Sequence, residues 1–180
     1  MLDFTKSADI SPCGTYRYSL TRNWTDLWRG PNALFIMLNP STADGQEDDP
    51  TIRRCVGFAK AWQCNQLTVV NLFAYRATDP KALLAALSRG DDAVGHRNDE
   101  MIVSQQIQHS ASSDIIVAAW GSLGSHALIS PRRDAVLRML PSAKTNCLGM
   151  CASGDPRHPL YCPGDLSPTR YGFQRLLGAA

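Results

Sequence analysis

The stretch Ala33–Thr42, Ala-Leu-Phe-Ile-Met-Leu-Asn-Pro-Ser-Thr, decides the fold of this 180-residue chain. Its first six residues are apolar without interruption, and Asn39 and Pro40 follow at once. Uninterrupted apolarity is typical of a strand covered on both faces, which is usual in parallel sheets. Because proline disfavours the helical conformation of the residue before it, the backbone stays extended at Asn39. The stretch therefore predicts a central strand that ends in a polar loop.

Further apolar runs alternate with helical patterns along the chain. Strands are predicted at Leu67–Leu72, at Asp114–Ala119 and, in shorter form, at Thr145–Gly149, with Tyr16–Leu20 as an edge strand. Asp49-Pro50 and Asp79-Pro80 have the form of a helix cap followed by a first helical proline. Further helices are predicted over Asn98–Gln108, Arg132–Leu140 and Pro168–Leu177. This alternation predicts a single α/β domain over residues 1–180, a three-layer α/β/α sandwich with a mainly parallel central sheet.

Composition restricts the class of protein. With 44% hydrophobic and 19% charged residues, the chain can bury one sizeable core. A net charge of +2 permits a nucleic-acid partner without indicating one. The six cysteines form no CxxC pair, and no apolar run approaches the roughly 20 residues of a membrane span. We expect a cytoplasmic protein with reduced thiols and no membrane partner, and the sequence does not determine its oligomeric state.

Polar residues at the ends of the predicted strands are the candidate site. In an open parallel sheet the carboxyl ends of the strands share one edge, so these residues converge on one crevice. We predict catalytic roles for Asn39 and His158. The candidate substrate-binding residues are Pro40, Ser41, Asn71, Phe73, Trp120, Gly121, Arg157 and Leu160.

Each candidate also has a structural interpretation. Asn39 either positions a water molecule or caps a turn. Asn71 interrupts an apolar run, and a buried carboxamide either pairs with a neighbouring loop or binds a ligand. His158 lies between two prolines in a stiff loop that can hold a proton donor near a developing anion, or it is a surface histidine. Trp120-Gly121 is either core packing and a tight turn or a close approach to a ligand.

Charged residues follow the first polar loop. Asp44, Asp48 and Asp49 belong to an acidic segment that can hold a divalent cation or supply a general base, or else caps a helix and faces solvent. Arg53 and Arg54 lie in the next helix, where one of them is a candidate for phosphate contact.

Taken in order, four motifs resemble the signature of the uracil-DNA glycosylase superfamily. They are Asn39-Pro40, Asn71, Trp120-Gly121 and His158-Pro159. From Tyr16 to Leu176 the chain also resembles a bacterial and phage family known only as a domain of unknown function. The shared segments are Leu38–Asp44, Asp49–Cys55, Val70–Ala74 and Arg157–Tyr161.

The glycosylase resemblance implies hydrolysis of an N-glycosidic bond, without metal or cofactor. Asn39 would place the attacking water, Asn71 would read the base edge, and His158 would stabilise the departing base. A flipped base also needs an aromatic stacking partner, for which the candidates are Phe58, Phe73 and Tyr75.

Two other functions remain open. One is a non-catalytic module that binds a nucleotide or nucleic acid in the same crevice. The other is a metal-assisted hydrolase that uses Asp44, Asp48, Asp49 and His158.

Overall fold

The computed structural model describes residues 5–24 and 30–172. This part of the chain has a mixed α/β fold, with one seven-stranded sheet and four α-helices. The strands are β1 Thr5–Ile10, β2 Arg17–Asn23, β3 Asn32–Met37, β4 Gln66–Asn71, β5 Ile115–Ala118, β6 Thr145–Cys147 and β7 Thr169–Arg170. The helices are α1 Pro50–Ala61, α2 Pro80–Arg89, α3 Asn98–Gln108 and α4 Ser130–Met139.

The sheet has the strand order β1-β2-β4-β3-β5-β6-β7. Strands β4, β3, β5 and β6 pair in parallel, so the run of apolar residues at Ala33–Leu38 does supply the central strand. The pairings of β1 with β2, β2 with β4 and β6 with β7 are antiparallel. The prediction of a mainly parallel sheet is therefore right for the four central strands and wrong for the outer ones.

Two predicted elements differ from the structure. Strand β2 is not an edge strand, because the polar strand β1 pairs along its outer side. At the other end, Thr169 and Arg170 form β7 against β6 instead of continuing a helix from Pro168. The pairing satisfies backbone groups that β6 would otherwise leave open at the sheet edge. Residues 173–177 of the predicted helix lie outside the described residues.

The aspartate caps are confirmed. Asp49 accepts the backbone N–H of Ile52 at 2.8 Å, and Asp79 accepts that of Lys81 at 2.9 Å. In both helices a proline follows the cap, where its missing N–H leaves no hydrogen bond unmade. These local signals place the starts of α1 and α2 beside the ends of the central strands.

The core lies on both faces of the sheet. Alternate residues of β3 belong to two separate apolar clusters, as the two-residue period of a strand requires. Leu34 and Ile36 share a cluster with residues of α2, α3 and α4, whereas Ala33, Phe35 and Met37 share one with residues of α1. With helices against both faces, the carboxyl ends of the strands are the open part of the sheet.

Two observations bear on membranes and thiols. Within residues 5–24 and 30–172, no helix has the length and apolarity needed to cross a bilayer. All six cysteines lie in those ranges, and none forms a disulfide. Cys55, Cys64, Cys147 and Cys162 are buried, as expected of thiols that pack as small apolar side chains.

Candidate functional site

A cavity of about 580 Å³ lies at the carboxyl ends of β3, β4 and β5. This volume is within the range of roughly 300–1,000 Å³ that is usual for small-molecule sites. The structure brings most of the predicted site residues together in its lining, namely Asn39, Ser41, Asn71, Trp120, Gly121, Arg157, His158 and Leu160.

The Asn39 carboxamide uses its nitrogen, but not its oxygen, in hydrogen bonds to the described residues. Its Nδ2 donates to the carbonyl oxygens of Pro40, at 3.0 Å, and Ala77, at 2.8 Å. Only the NH₂ group can donate to two carbonyls, so this contact fixes the orientation of the carboxamide. No donor among the described residues bonds to Oδ1. The turn-capping interpretation therefore applies to the nitrogen, and the oxygen remains available to a water or a ligand.

Asn71 has a buried side chain in the cavity lining. It is 1% exposed at the end of β4, and its Nδ2 has no hydrogen-bond partner among the described residues. Asn98 bonds to the main-chain oxygen of Asn71, at 3.0 Å, and not to its carboxamide. Burial of an amide without a hydrogen bond is unfavourable, and an unpaired carboxamide in a cavity wall is suited to binding a polar ligand.

His158 presents a neutral imidazole. Burial lowers the pKa of His158, and the nearby Asp49 carboxylate opposes this effect. Its Nδ1 accepts the backbone N–H of Leu160 at 3.3 Å. A neutral imidazole that accepts at Nδ1 carries its proton on Nε2. His158 therefore supplies an N–H donor at neutral pH.

His109 and His158 predict a loss of stability in mild acid. Burial lowers the pKa of His109 as well as that of His158. The unfolded chain takes up protons below about pH 6.5, where the folded protein resists them. The two histidines therefore do not reduce the free energy of unfolding above about pH 6.5, and they reduce it progressively as the pH decreases below that value. Urea titrations at several pH values measure this slope, which the double variant His109→Gln/His158→Gln should flatten; an unchanged slope would contradict the assignment.

A buried aspartate holds the His158 loop against the end of β5. Asp155 is fully buried and accepts hydrogen bonds from Trp120 Nε1 at 3.2 Å, Ser153 Oγ at 3.0 Å and Arg133 Nη1 at 3.3 Å. The Ser125 hydroxyl is a further partner. The sequence analysis missed Asp155. Its only signal is its position between Gly154 and Pro156 in the loop that carries His158.

Gly121 occupies a backbone conformation that other residues avoid. Its φ is 80° and its ψ is −179°, a region that is essentially restricted to glycine. Its N–H donates to the carbonyl oxygen of Pro156 at 3.0 Å. A Cβ at this position would lie 3.2 Å from the Cβ of His158. Gly121 thus permits the close approach of the His158 loop.

The substitution Gly121→Ala is expected to lower the free energy of unfolding by about 1–3 kcal/mol, because it adds strain in this region. It should also shift the imidazole signals of His158 in the NMR spectrum, since the new methyl group presses on that side chain. Gly57→Ala in α1 is the matched control, because a Cβ there meets no atom within 4 Å. Equal stability of the two variants would contradict the prediction.

Four residues with predicted roles in binding or stacking are outside the cavity lining. Pro40 is buried behind the lining, where its carbonyl accepts the N–H of Ala77 at 2.9 Å. Phe73 is 1% exposed in the apolar core, because the chain leaves the sheet after Asn71. The stacking candidates Phe58 and Tyr75 also lie outside the lining, whose aromatic residues are Trp120 and Tyr161.

Arg53 and Arg54 lie outside the cavity lining and contact backbone instead. Arg53 donates to the carbonyl oxygen of Asp48, and Arg54 donates to that of Cys162. The guanidinium of Arg54 also lies 5.1 Å from the ring centroid of Phe58. Phosphate contact by these two arginines stays a prediction.

The acidic segment has structural contacts. Asp48 pairs with the buried Arg22 at 2.7 Å, and Asp44 Oδ1 accepts the backbone N–H groups of Gln46 and Glu47. Asp49 caps α1 and lines the cavity. Residues 5–24 and 30–172 contain no group of three or more side chains arranged to hold a metal ion. The arrangement favours the structural interpretation of this segment over a cation site.

Arg17 is a lining residue that the sequence analysis missed. It is 2% exposed, and its Nη1 donates to the carbonyl oxygen of Ala43 at 2.7 Å. Burial lowers the pKa of Arg17 to about 10, so the side chain remains charged at neutral pH. An arginine in an alternating edge strand is expected to face solvent, but this one lies against the loop that follows β3.

The match to a protein family covers most of the chain. The profile of a family described as "Protein of unknown function (DUF1643)" matches residues 17–160. The chain belongs to this family. The DUF1643 match begins at Arg17 and ends at Leu160, so it includes the lining residues named above except Tyr161.

Other comparisons give little further information. No curated protein matches this DUF1643 chain. Among solved structures, a hetero-hexameric glutamate dehydrogenase from Thermus thermophilus, in its Leu-bound form, matches with 14% identity and a TM-score of 0.31. The match covers 88% of this chain and 36% of that chain. The similarity is too low to indicate a shared fold.

Proposed function

We propose that this protein recognises a nucleobase and hydrolyses an N-glycosidic bond. The substrate class is a modified or deaminated base in nucleic acid or in a nucleoside derivative. The observation that carries the proposal is the meeting of two carboxamides, Asn39 and Asn71, with the neutral imidazole of His158 in one cavity. They come from three separate segments at the same edge of the sheet.

We also propose a fold of the uracil-DNA glycosylase type. Four central parallel strands with helices against both faces are consistent with a three-layer α/β/α sandwich of the uracil-DNA glycosylase type. The order of Asn39-Pro40, Asn71, Trp120-Gly121 and His158-Pro159 agrees with that superfamily's motifs.

Asn71 is the proposed base-reading residue. A carboxamide offers one acceptor and two donor hydrogens, which match the alternating acceptor and donor groups on a base edge. Because the side chain has no partner among the described residues, a bound base would satisfy groups that are otherwise unpaired. This gain would favour a base over an apolar ligand of equal size.

Asn39 and His158 are the proposed catalytic residues. Oδ1 of Asn39 accepts a hydrogen bond from water and directs its oxygen to the sugar carbon of the glycosidic bond. That bond breaks with its electron pair going to the base nitrogen, and the water oxygen bonds to the sugar carbon of the oxocarbenium-like state. The proton that the water loses passes through solvent to the departing base. The Nε2–H of His158 donates to the departing base as negative charge develops on it.

The substitution Asn71→Asp is expected to change base choice. A carboxylate accepts hydrogen bonds but does not donate them, so a base that needs both should be released about 100-fold more slowly or worse. Competition between substrates, followed by mass spectrometry, measures the preference. Asn71→Leu should not lower the melting temperature, because the native carboxamide makes no hydrogen bond to the described residues. An unchanged base preference in Asn71→Asp would contradict the assignment.

A base-release assay tests the proposed reaction. The substrates are pooled single- and double-stranded oligonucleotides and free nucleosides that carry uracil and common modified bases. Mass spectrometry identifies any released base, and Asn39→Ala serves as the catalytic control. Release by the native protein that Asn39→Ala abolishes would support the proposal, and release that persists in the variant would refute the role of Asn39.

A binding module is the second candidate, and one observation favours it. Asn39 carries an amide where a carboxylate could take the proton of the attacking water, so the reaction would proceed without a base at this position. Binding of oligonucleotides by the folded protein, with no base released from any substrate, would support this alternative.

A further inference from the structure

The Arg17 guanidinium is a buried charge for which nearby carboxylates, Asp49 first, compensate only in part. It makes one hydrogen bond among the described residues, from Nη1 to Ala43, and its Nε has no partner there. No carboxylate of the described residues lies within the 4.0 Å of an ion pair with Arg17. A buried guanidinium normally pairs with an anion or satisfies its donors on carbonyl groups.

The other arginines buried among the described residues, Arg22 and Arg133, are paired with carboxylates. Arg22, on the same strand, is completely buried and contacts Asp48 at 2.7 Å and several carbonyl groups. Arg133 contacts Asp134 and Asp155. The difference is that Arg17 lines the cavity, where a ligand can supply the missing anion.

The rest of the cavity lining is suited to an anion. The lining contains two arginines, Arg17 and Arg157, and one residue with a carboxylate, Asp49, which leaves an excess of positive charge. One oxygen of Asp49 is already bonded to the N–H of Ile52. The hydroxyl-bearing residues Ser41, Thr51 and Thr78 also line the cavity. Hydroxyl and guanidinium groups are common phosphate ligands.

We propose that Arg17 binds a phosphate group of the substrate, so that the cavity takes a nucleotide in preference to a nucleoside. The inference rests on the proposed recognition of a nucleobase, and it adds the group that anchors the sugar end of the substrate. The phosphate belongs either to a free mononucleotide or to a nucleotide within a strand.

The test compares ligands that differ only in the phosphate. Calorimetric titration measures the binding of deoxynucleosides, their 5′- and 3′-monophosphates and inorganic phosphate, with uracil, hypoxanthine, xanthine and the four ordinary bases. Short oligonucleotides are used with native phosphates and with neutral methylphosphonates on either side of the target base. The variants are Arg17→Gln, Arg17→Lys and the control Arg89→Gln, which removes an exposed charge on α2.

A monophosphate, or the native oligonucleotide, is expected to bind the native protein about 10- to 100-fold more tightly than its neutral counterpart. Arg17→Gln should remove this preference while nucleoside binding stays the same. Arg17→Lys should retain part of it, since a lysine keeps the charge without the planar geometry. Arg89→Gln should leave it unchanged. A preference seen only with oligonucleotides would identify a strand as the source of the phosphate.

Equal binding of neutral and charged ligands by the native protein would overturn the inference, and this comparison needs no variant. An Arg17→Gln protein that retains the preference would overturn it too. Nucleoside binding without a phosphate preference would overturn the inference about Arg17 but not the proposed recognition of a nucleobase. Binding of inorganic phosphate that depends on Arg17, with no binding of nucleosides, would support the anion site and refute base recognition. No binding by any ligand would refute both.

Discussion

Asn39→Ala is expected to lower the rate of base release by at least about 100-fold, the effect of losing one group that positions a reactant. The variant removes the only atom of this side chain that is free to accept a hydrogen bond from the attacking water. It also removes the donor shared by the carbonyl groups of Pro40 and Ala77. Single-turnover measurements with saturating protein separate the chemical step from binding.

Asn146→Ala is the matched control for this experiment. Nδ2 of Asn146 also donates to two carbonyl groups, those of Ile116 and Lys144, at 3.3 and 2.9 Å, but the residue is outside the cavity lining. Both variants should lose about 1–3 kcal/mol of stability, because each removes two hydrogen bonds from a side chain to carbonyl groups. Only Asn39→Ala should lose turnover. An equal loss of turnover in the two variants would mean that Asn39 acts through stability alone.

The positions that could be predicted from sequence depend on local rules. A strand that is apolar throughout must be covered on both faces, and in a parallel sheet its end lies beside the ends of its neighbours. This is why Asn39 and Asn71 were expected to meet, and the structure places both in one cavity. The Asp-Pro caps of α1 and α2 are just as local, because each aspartate bonds within its own first turn.

The residues that could not be predicted depend on contacts between distant segments. Arg17 is buried beside the loop that follows β3, where its guanidinium donates to the carbonyl oxygen of Ala43, 26 residues away. The polar sequence of β1 likewise gives little sign of a strand. Phe73 follows Asn71 by two residues, so a continued strand would place both on one face. The strand ends at Asn71, however, and Phe73 turns into the core. Asp155 has partners as far away as Trp120 and Arg133.

Asp155→Ala is expected to lower the free energy of unfolding by about 3–5 kcal/mol, the usual effect of removing one partner of a buried ion pair. The carboxylate is fully buried, and its loss leaves the indole N–H of Trp120 without its acceptor and removes the buried partner of Arg133, which keeps only the more exposed Asp134 as an ion-pair partner among the described residues. The same change frees the loop that carries His158, so base release should fall even at temperatures where the variant is folded. Urea denaturation measures the first effect, and single-turnover kinetics measure the second.

Asp134→Ala is the control for Asp155→Ala, because Asp134 pairs with the same guanidinium at 2.7 Å but is more exposed. It should lower stability by less than about 1 kcal/mol, as is usual for pairs near the surface, and leave base release unchanged. The double variant Arg133→Met/Asp155→Ala should recover part of the lost stability, since it also removes the cation that has lost its buried partner. If the double variant is less stable than Asp155→Ala, the hydrogen bonds of Arg133 to other groups matter more than its charge. Asp155 would then act chiefly as the acceptor that joins Trp120 to the His158 loop.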